Sequence, residues 1–239
     1  MEPTEFALIV VILCLATAFH GTLGFGTGLV AMPLLTLLIG VEEATAIVAF
    51  VIVGTTILLL RRNWQRLERR AALQLIVSSI PGVPIGIFVL TSAPTDLVQR
   101  ALGVILIIYA IYSLIGPPLA QASHSVWAYM LGFASGVLGG AYNTNAPPVV
   151  IYGTLRRWPP DVFRGTLQAY FVPLALVVWL GHGVSGLWSW DIVVAYALYF
   201  PFGLVALWFG HRLATRIPAD AFQRVLYLAV IVLGALLLV

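Results

Sequence analysis

The chain has 239 residues, of which 61% are hydrophobic and only 9% charged, and its net charge is +3. A soluble domain carries about 25% charged residues, so a water-soluble enzyme and a nucleic-acid-binding domain are both excluded. The twelve basic residues are all Arg and sit between apolar runs. The one cysteine, Cys14, excludes an intrachain disulfide and a cysteine metal cluster.

In chain order, apolar segments run 6–20, 27–39, 44–60, 72–91, 97–115, 126–140, 146–155, 165–181, 190–210 and 222–239. A crossing takes about 20 residues, so the pattern predicts an all-α integral membrane protein of about 8–10 segments. The start, MEPTE, is acidic, unlike the basic opening of a signal peptide. Arg61, Arg62, Arg66, Arg69 and Arg70 fill one loop, Arg156, Arg157 and Arg164 a second, Arg212 and Arg216 a third. The positive-inside rule places these loops in the cytoplasm. Glu2, Glu5, Glu42, Glu43 and the loops near Asp96 and His182 then lie outside, and so do both termini. Trp127, Trp158, Trp188 and Trp190 suit interfacial belts.

The chain also contains itself twice. Residues 20–35 read HGTLGFGTGLVAMPLL and residues 135–150 read SGVLGGAYNTNAPPVV. A shift of 115 aligns Gly21 with Gly136, Gly24 with Gly139 and Pro33 with Pro148. The halves are 1–118, with a broken hairpin at 6–39, and 119–239, with one at 126–155; three further transmembrane helices follow each hairpin. The first Gly-rich unit ends near acidic Glu42, the second near Arg157. Opposite loop charge favours inverted repeats; the alternative is parallel repeats with four crossings per half.

Segment 146–155 is half a bilayer core long, about 15 Å as a helix. Asn145 suits its N-cap and Pro147 its first turn. A helix starting just before Pro33 and ending near Gly40 is equally short. The hairpin tips are expected at 20–28 and 135–145, near the midplane. Duplicated broken segments mark transporter binding sites.

No charge lies between Phe6 and Val41, and from Ala101 to Leu155 the one titratable side chain of ordinary charge range is His124. The tips therefore hold no carboxylate pair, metal cluster or Arg clamp. Candidates for binding are Gly21, Gly24, Phe25, Gly26 and Gly28 with His20, Thr22 and Thr27 in the first copy. In the second they are Ser135, Gly139, Gly140, Tyr142, Asn143, Thr144 and Asn145, joined by Gln168. Free N–H groups at a half-helix start attract anions, and Gly admits a ligand to the backbone. Two such starts facing inward predict a site for a small oxyanion. Close packing is the competing use of glycines, as in Gly132-x-x-x-Gly136. Arg164 shares a helix face with Gln168 and is a candidate for anion entry. His20, with a reference pKa of about 6.5, is the candidate proton carrier. Ser78 and Ser79 are expected to bond carbonyls of their own helix.

At these residues the chain resembles the sulfite exporter TauE/SafE family of permeases. The resemblance is carried by Gly21-Thr-Leu-Gly-Phe-Gly-Thr-Gly-Leu-Val-Ala-Met-Pro-Leu-Leu with Gly40, and by Gly136-Val-Leu-Gly-Gly-Ala-Tyr-Asn-Thr-Asn-Ala-Pro-Pro-Val-Val-Ile-Tyr-Gly. Phe163-Arg-Gly-Thr-Leu-Gln-Ala-Tyr-Phe, Ile80-Pro-Gly and Phe200-Pro-Phe-Gly extend it. Ala141, Tyr142 and Asn143 stand where many members have further glycines. The resemblance implies transport of sulfite, sulfonates such as sulfoacetate, or related organic anions across the bacterial cytoplasmic membrane. With no Walker A motif, a secondary transporter is expected, coupled to protons or sodium. No cofactor, metal or nucleic acid is expected, only a small anion and membrane lipid. The alternatives are a passive anion channel and an intramembrane enzyme, the latter lacking a nucleophile with a base or a metal with carboxylates.

Overall fold

The computed structural model describes residues 3–63, 67–116, 124–214, 216 and 219–239. These form helices α1 (Pro3–Leu23), α2 (Thr27–Ile39), α3 (Val41–Asn63), α4 (Arg69–Ser79), α5 (Gly82–Ser92), α6 (Thr95–Ile115), α7 (Val126–Tyr142), α8 (Ala146–Leu155), α9 (Pro160–Val184), α10 (Trp190–Ala214) and α11 (Ala219–Leu236). No strand occurs among the described residues. Six helical spans are long and apolar enough to cross a membrane, α4 and α5 counting together as Arg69–Ser92. With the bilayer as solvent, a helix satisfies its own backbone groups. That is why so apolar a chain is helical throughout.

The short elements are α2, of 13 residues, and α8, of 10. Each follows a break that glycine or asparagine makes possible. Gly24 and Gly26 sit at φ +82° and +109°, and Asn143 at φ 51°. Positive φ costs most side chains free energy but is open to Gly and tolerated by Asn.

Several packings in one part of the chain have a counterpart in the other, but α2 lies along α3 far more closely than α8 lies along α9. α1 packs on α10 as α7 packs on α4 and α5; α3 packs on α9, and α6 on α11. A Cβ at Gly103 on α6 would stand 2.6 Å from Gly234 O on α11, and one at Gly234 would stand 2.9 Å from Gly103 O. Only glycine on both helices permits that approach.

Several expectations change. The run 72–91 is broken: α4 ends at Ser79 and α5 begins at Gly82, because Pro81 carries no N–H to continue the ladder. α2 starts at Thr27, a turn and a half before Pro33, which is carried inside the helix. The tips are tighter than expected, at 24–26 and 143–145. Asn145 does precede α8, but its side chain makes no cap bond. Arg61 and Arg62 belong to α3, and Arg69 and Arg70 to α4, so less of that stretch is loop. Arg66 and Glu2 lie outside the described residues. His182 is fully buried in α9 with Nε2 2.9 Å from Gly140 O. Trp188 is half-buried: it packs on Trp179, centroids 4.4 Å apart, and on Phe50.

Candidate functional site

The first tip is closed by side chains from both halves. His20, in the last turn of α1, is buried with Nδ1 2.7 Å from Thr27 Oγ1, the first residue of α2. Gly24 N–H bonds His20 O at 2.8 Å, finishing α1. The Gly24 carbonyl then accepts Gln168 Nε2–H from α9 at 2.7 Å. The helix beyond has no partner of its own for its first N–H groups. Those of Thr27, Gly28 and Leu29 start α2, and Val30 N–H is the first to bond back, to Gly26 O at 3.2 Å.

The second tip is held by a matching device. Asn143 N–H bonds Gly139 O at 2.9 Å, and its Nδ2–H donates to Thr45 O on α3 at 2.6 Å. Thus an amide side chain tethers each tip to the third helix of the other half. Ser135 donates its hydroxyl to Asn145 O. Tyr170 O–H donates to Ser135 Oγ at 2.7 Å and lies 2.8 Å from Ser79 Oγ. Ser79 Oγ lies 2.7 Å from Leu75 O of its own helix, as expected, and equally from Gly132 O on α7, its one proton serving one acceptor at a time. The hydroxyl chain runs from the α4–α5 break to the carbonyl before α8.

The tips meet around one cavity. His20, Phe25, Gly26, Thr27, Gly28 and Leu29 line it from the first half, with Ile52 and Thr56 of α3. Asn143, Thr144, Asn145, Ala146 and Phe171 line it from the second. The cavity is narrow, with room for a water or so. No Arg, Asp or Glu is in this lining. His20 is 3% exposed, and its Nε2 has no hydrogen-bond partner. A buried polar nitrogen left open costs free energy unless something completes it.

The two half-helix starts differ in their donors. α2 presents three consecutive N–H groups, whereas α8 begins Ala146-Pro147-Pro148 and two of its first three residues have no N–H. The cluster of N–H groups belongs to the first tip; the second carries the amide side chains of Asn143 and Asn145.

The sequence profile of the sulfite exporter TauE/SafE family matches residues 8–237. The chain belongs to the sulfite exporter TauE/SafE family. It is 25% identical over 228 residues, covering 93% of this chain and 89% of the other, to a protein of Cupriavidus necator described as "Probable sulfite/organosulfonate exporter TauE". No solved structure matches it. The TauE/SafE family is one of exporters, and six apolar spans make this member a multi-pass membrane protein.

Within this TauE/SafE fold, the residues expected at the site fall into three groups. His20, Phe25, Gly26, Thr27, Gly28, Asn143, Thr144 and Asn145 line the shared cavity. Gly24, Ser135 and Gln168 stand behind it and hold the tips through the bonds above. The rest do other work. Gly21 packs on α10, where a Cβ would come within 2.7 Å of Leu207 O. Gly140 packs on α5, a Cβ there standing 3.1 Å from Ile87 N and closer to Val83 O. Thr22 bonds Phe19 O of its own helix at 2.7 Å. Gly139 faces the Asn145 side chain, and Tyr142 donates its hydroxyl to Val98 O at 3.1 Å. Arg164 is exposed, one turn from Gln168. Reading the sequence missed Leu29, Ile52, Thr56, Ala146 and Phe171 in the lining and Tyr170 and Thr45 behind it. Tyr170 and Phe171 end the stretch Phe163–Phe171, but nothing in their spacing marks one as a strut and the other as a wall.

Proposed function

We propose that the protein is a secondary transporter of small sulfur-containing anions, sulfite or sulfonates, held between the two tips. The observation that carries this reading is the cavity shared by both broken hairpins, with a buried, unpartnered His20 Nε2 and no charged side chain in its lining. Neutral donors in a low-dielectric site attract an anion strongly enough to bind and weakly enough to release. The cavity as it stands is water-sized, so it widens to admit the anion; His20 Nε2–H, the N–H groups of Thr27 to Leu29 and the amides of Asn143 and Asn145 then complete the anion's oxygens. Phe25 and Phe171 take its apolar part. The relative from Cupriavidus necator supports the substrate class through its name.

Alternating access follows from the cross-half tethers. Releasing Gln168 from Gly24 O frees the first tip while Asn143 stays on Thr45 O; the reverse frees the second. With inverted repeats these two events open opposite sides of the cytoplasmic membrane, both termini being external. Arg164 attracts anions to the cytoplasmic mouth, and His20 couples the cycle to protons. The test is counterflow in proteoliposomes loaded with unlabelled sulfite. Saturable, transient accumulation of labelled sulfite against its gradient is expected. Linear, non-saturating flux without overshoot identifies a channel and refutes the transporter reading.

A further inference from the structure

We infer that the first tip carries a sodium site, formed by the side-chain oxygen of Gln168 and the open carbonyls that end α1. Gln168 is 2% exposed. Its Nε2–H donates to Gly24 O at 2.7 Å, and a carbonyl only accepts, so the amide nitrogen must face Gly24. That fixes Oε1 on the other side of the amide, where it is buried with no hydrogen-bond partner. A buried acceptor left open costs free energy unless a donor or a cation completes it.

The helix end beside it is short of partners too. His20 O, in the last turn of α1, accepts Gly24 N–H. Among the described residues, no hydrogen bond reaches Gly21 O, Thr22 O or Leu23 O. The matching helix end in the other half is closed. Leu138 O accepts Thr144 N–H at 3.3 Å, and Gly139 O accepts Asn143 N–H at 2.9 Å. Gly140 O faces His182 Nε2 at 2.9 Å, and Tyr142 O accepts the Thr144 hydroxyl at 3.0 Å. The two copies thus end differently. α7 satisfies its last carbonyls from within the protein, whereas α1 leaves them open at the tip that Gln168 holds.

These oxygens suit a cation. A helix C-terminus carries roughly half a negative charge, and hard cations take oxygen ligands. Broken transporter helices coordinate sodium through half-helix C-terminal ends and unwound carbonyls. Successive carbonyls point past the helix end, offset by about 100° around its axis. One or two of them therefore reach an ion beside Gln168, and water completes its shell. The set is neutral: Glu5 lies at the other end of α1. No group of three or more Asp, Glu, His or Cys that could hold a metal occurs among the described residues. Divalent ions bind mainly through carboxylates, so the site points to a monovalent ion. Gln168 is outside the lining of the tip cavity, so the cation does not take the anion's place. In the proposed cycle, release of Gln168 from Gly24 O frees the first tip, and sodium on Oε1 holds that amide in place. The latch rests on the proposed cycle; the site does not.

Binding of radiolabelled sodium to the purified full chain tests the site, in choline chloride with no sulfur anion present. Saturable binding is expected, displaced by NaCl and about tenfold or more less effectively by KCl. Gln168→Leu keeps the size and removes the oxygen, and it should lose the binding. Gln168→Glu keeps an oxygen and adds a negative charge, and it should bind sodium about tenfold more tightly than wild type. An amide that only tethers the tip predicts no saturable sodium binding in any of the three proteins. That result, wild-type sodium affinity in Gln168→Leu, or displacement by KCl as effective as by NaCl overturns the inference. If Gln168→Leu does not fold, Gln168→Glu decides, and an affinity no higher than wild type overturns it. With no sulfur anion present, failure here is separate from failure of the transporter reading, which counterflow judges.

Discussion

Gly28 is where the two tips touch, and Gly28→Ala tests whether that contact is part of the machine. A Cβ added there would press on the Asn143 carbonyl, with Asn143 C at 3.0 Å and Thr144 Oγ1 at 3.3 Å. Ordinary contact begins at about 3.4 Å. The nearest obstacle is the Asn143 backbone, which no change of rotamer relieves even if the Thr144 hydroxyl turns aside, so the tips must separate by a few tenths of an ångström or more. Overpacking of this kind costs about 1–3 kcal/mol. Separation also lengthens the donor contacts from α2 to the anion. Losing one of them is worth about 1.4 kcal/mol, roughly tenfold in Kd. The control is Gly116→Ala at the C-cap of α6, where φ is +57° and a Cβ meets nothing within 4 Å. That change costs only local strain, about 1–2 kcal/mol, far from the cavity. Thermal unfolding in detergent and sulfite calorimetry read the two effects. Both variants should melt lower, and only Gly28→Ala should lose affinity. Wild-type affinity and stability in Gly28→Ala would refute the reasoning.

Thr27→Val removes the hydroxyl that fixes His20, and Asn143→Ala removes the amide that reaches Thr45; calorimetry should show each weakening anion binding by roughly 1–3 kcal/mol. His20→Gln keeps size and hydrogen bonding but cannot titrate. It should retain binding and lose the pH dependence of uptake into proteoliposomes, and an unchanged pH profile would assign coupling elsewhere. The repeats should be inverted: cysteines at Glu43 and Arg157, in a Cys14→Ser background, should react with an impermeant thiol reagent from opposite sides of the membrane. Equal labelling from one side would point to parallel repeats.

Much of the frame was legible because membrane burial leaves few choices. Apolar runs of crossing length become helices, and a Gly-rich interruption repeated 115 residues later had to mean a second break of the same kind. The short segments 27–39 and 146–155 are α2 and α8 to the residue. What stayed hidden depends on which side of a helix faces what. Gly21, Gly28 and Gly140 look alike in sequence; one meets α10, one meets the other tip, one meets α5. The break at Pro81 was masked by the unbroken hydropathy of 72–91, since proline is tolerated in membrane helices when neighbours satisfy the freed carbonyls. Ser79 was read as self-satisfied, and half of that was right: its second acceptor, Gly132 O, is within reach because a glycine on α7 lets the helices close. The inequality of the two tips was legible and overlooked. Pro147 and Pro148 announce by themselves that α8 starts with few N–H donors.

The central claim is that the anion sits between the tips, and selenite tests it most directly. Selenite has the shape and charge states of sulfite, and selenium scatters anomalously. An experimental structure with selenite should show one anomalous peak in the cavity, with an oxygen within hydrogen-bond distance of His20 Nε2 and of the N–H groups starting α2. An empty cavity with the peak elsewhere, for example beside Arg164 at the exposed mouth, would contradict the account.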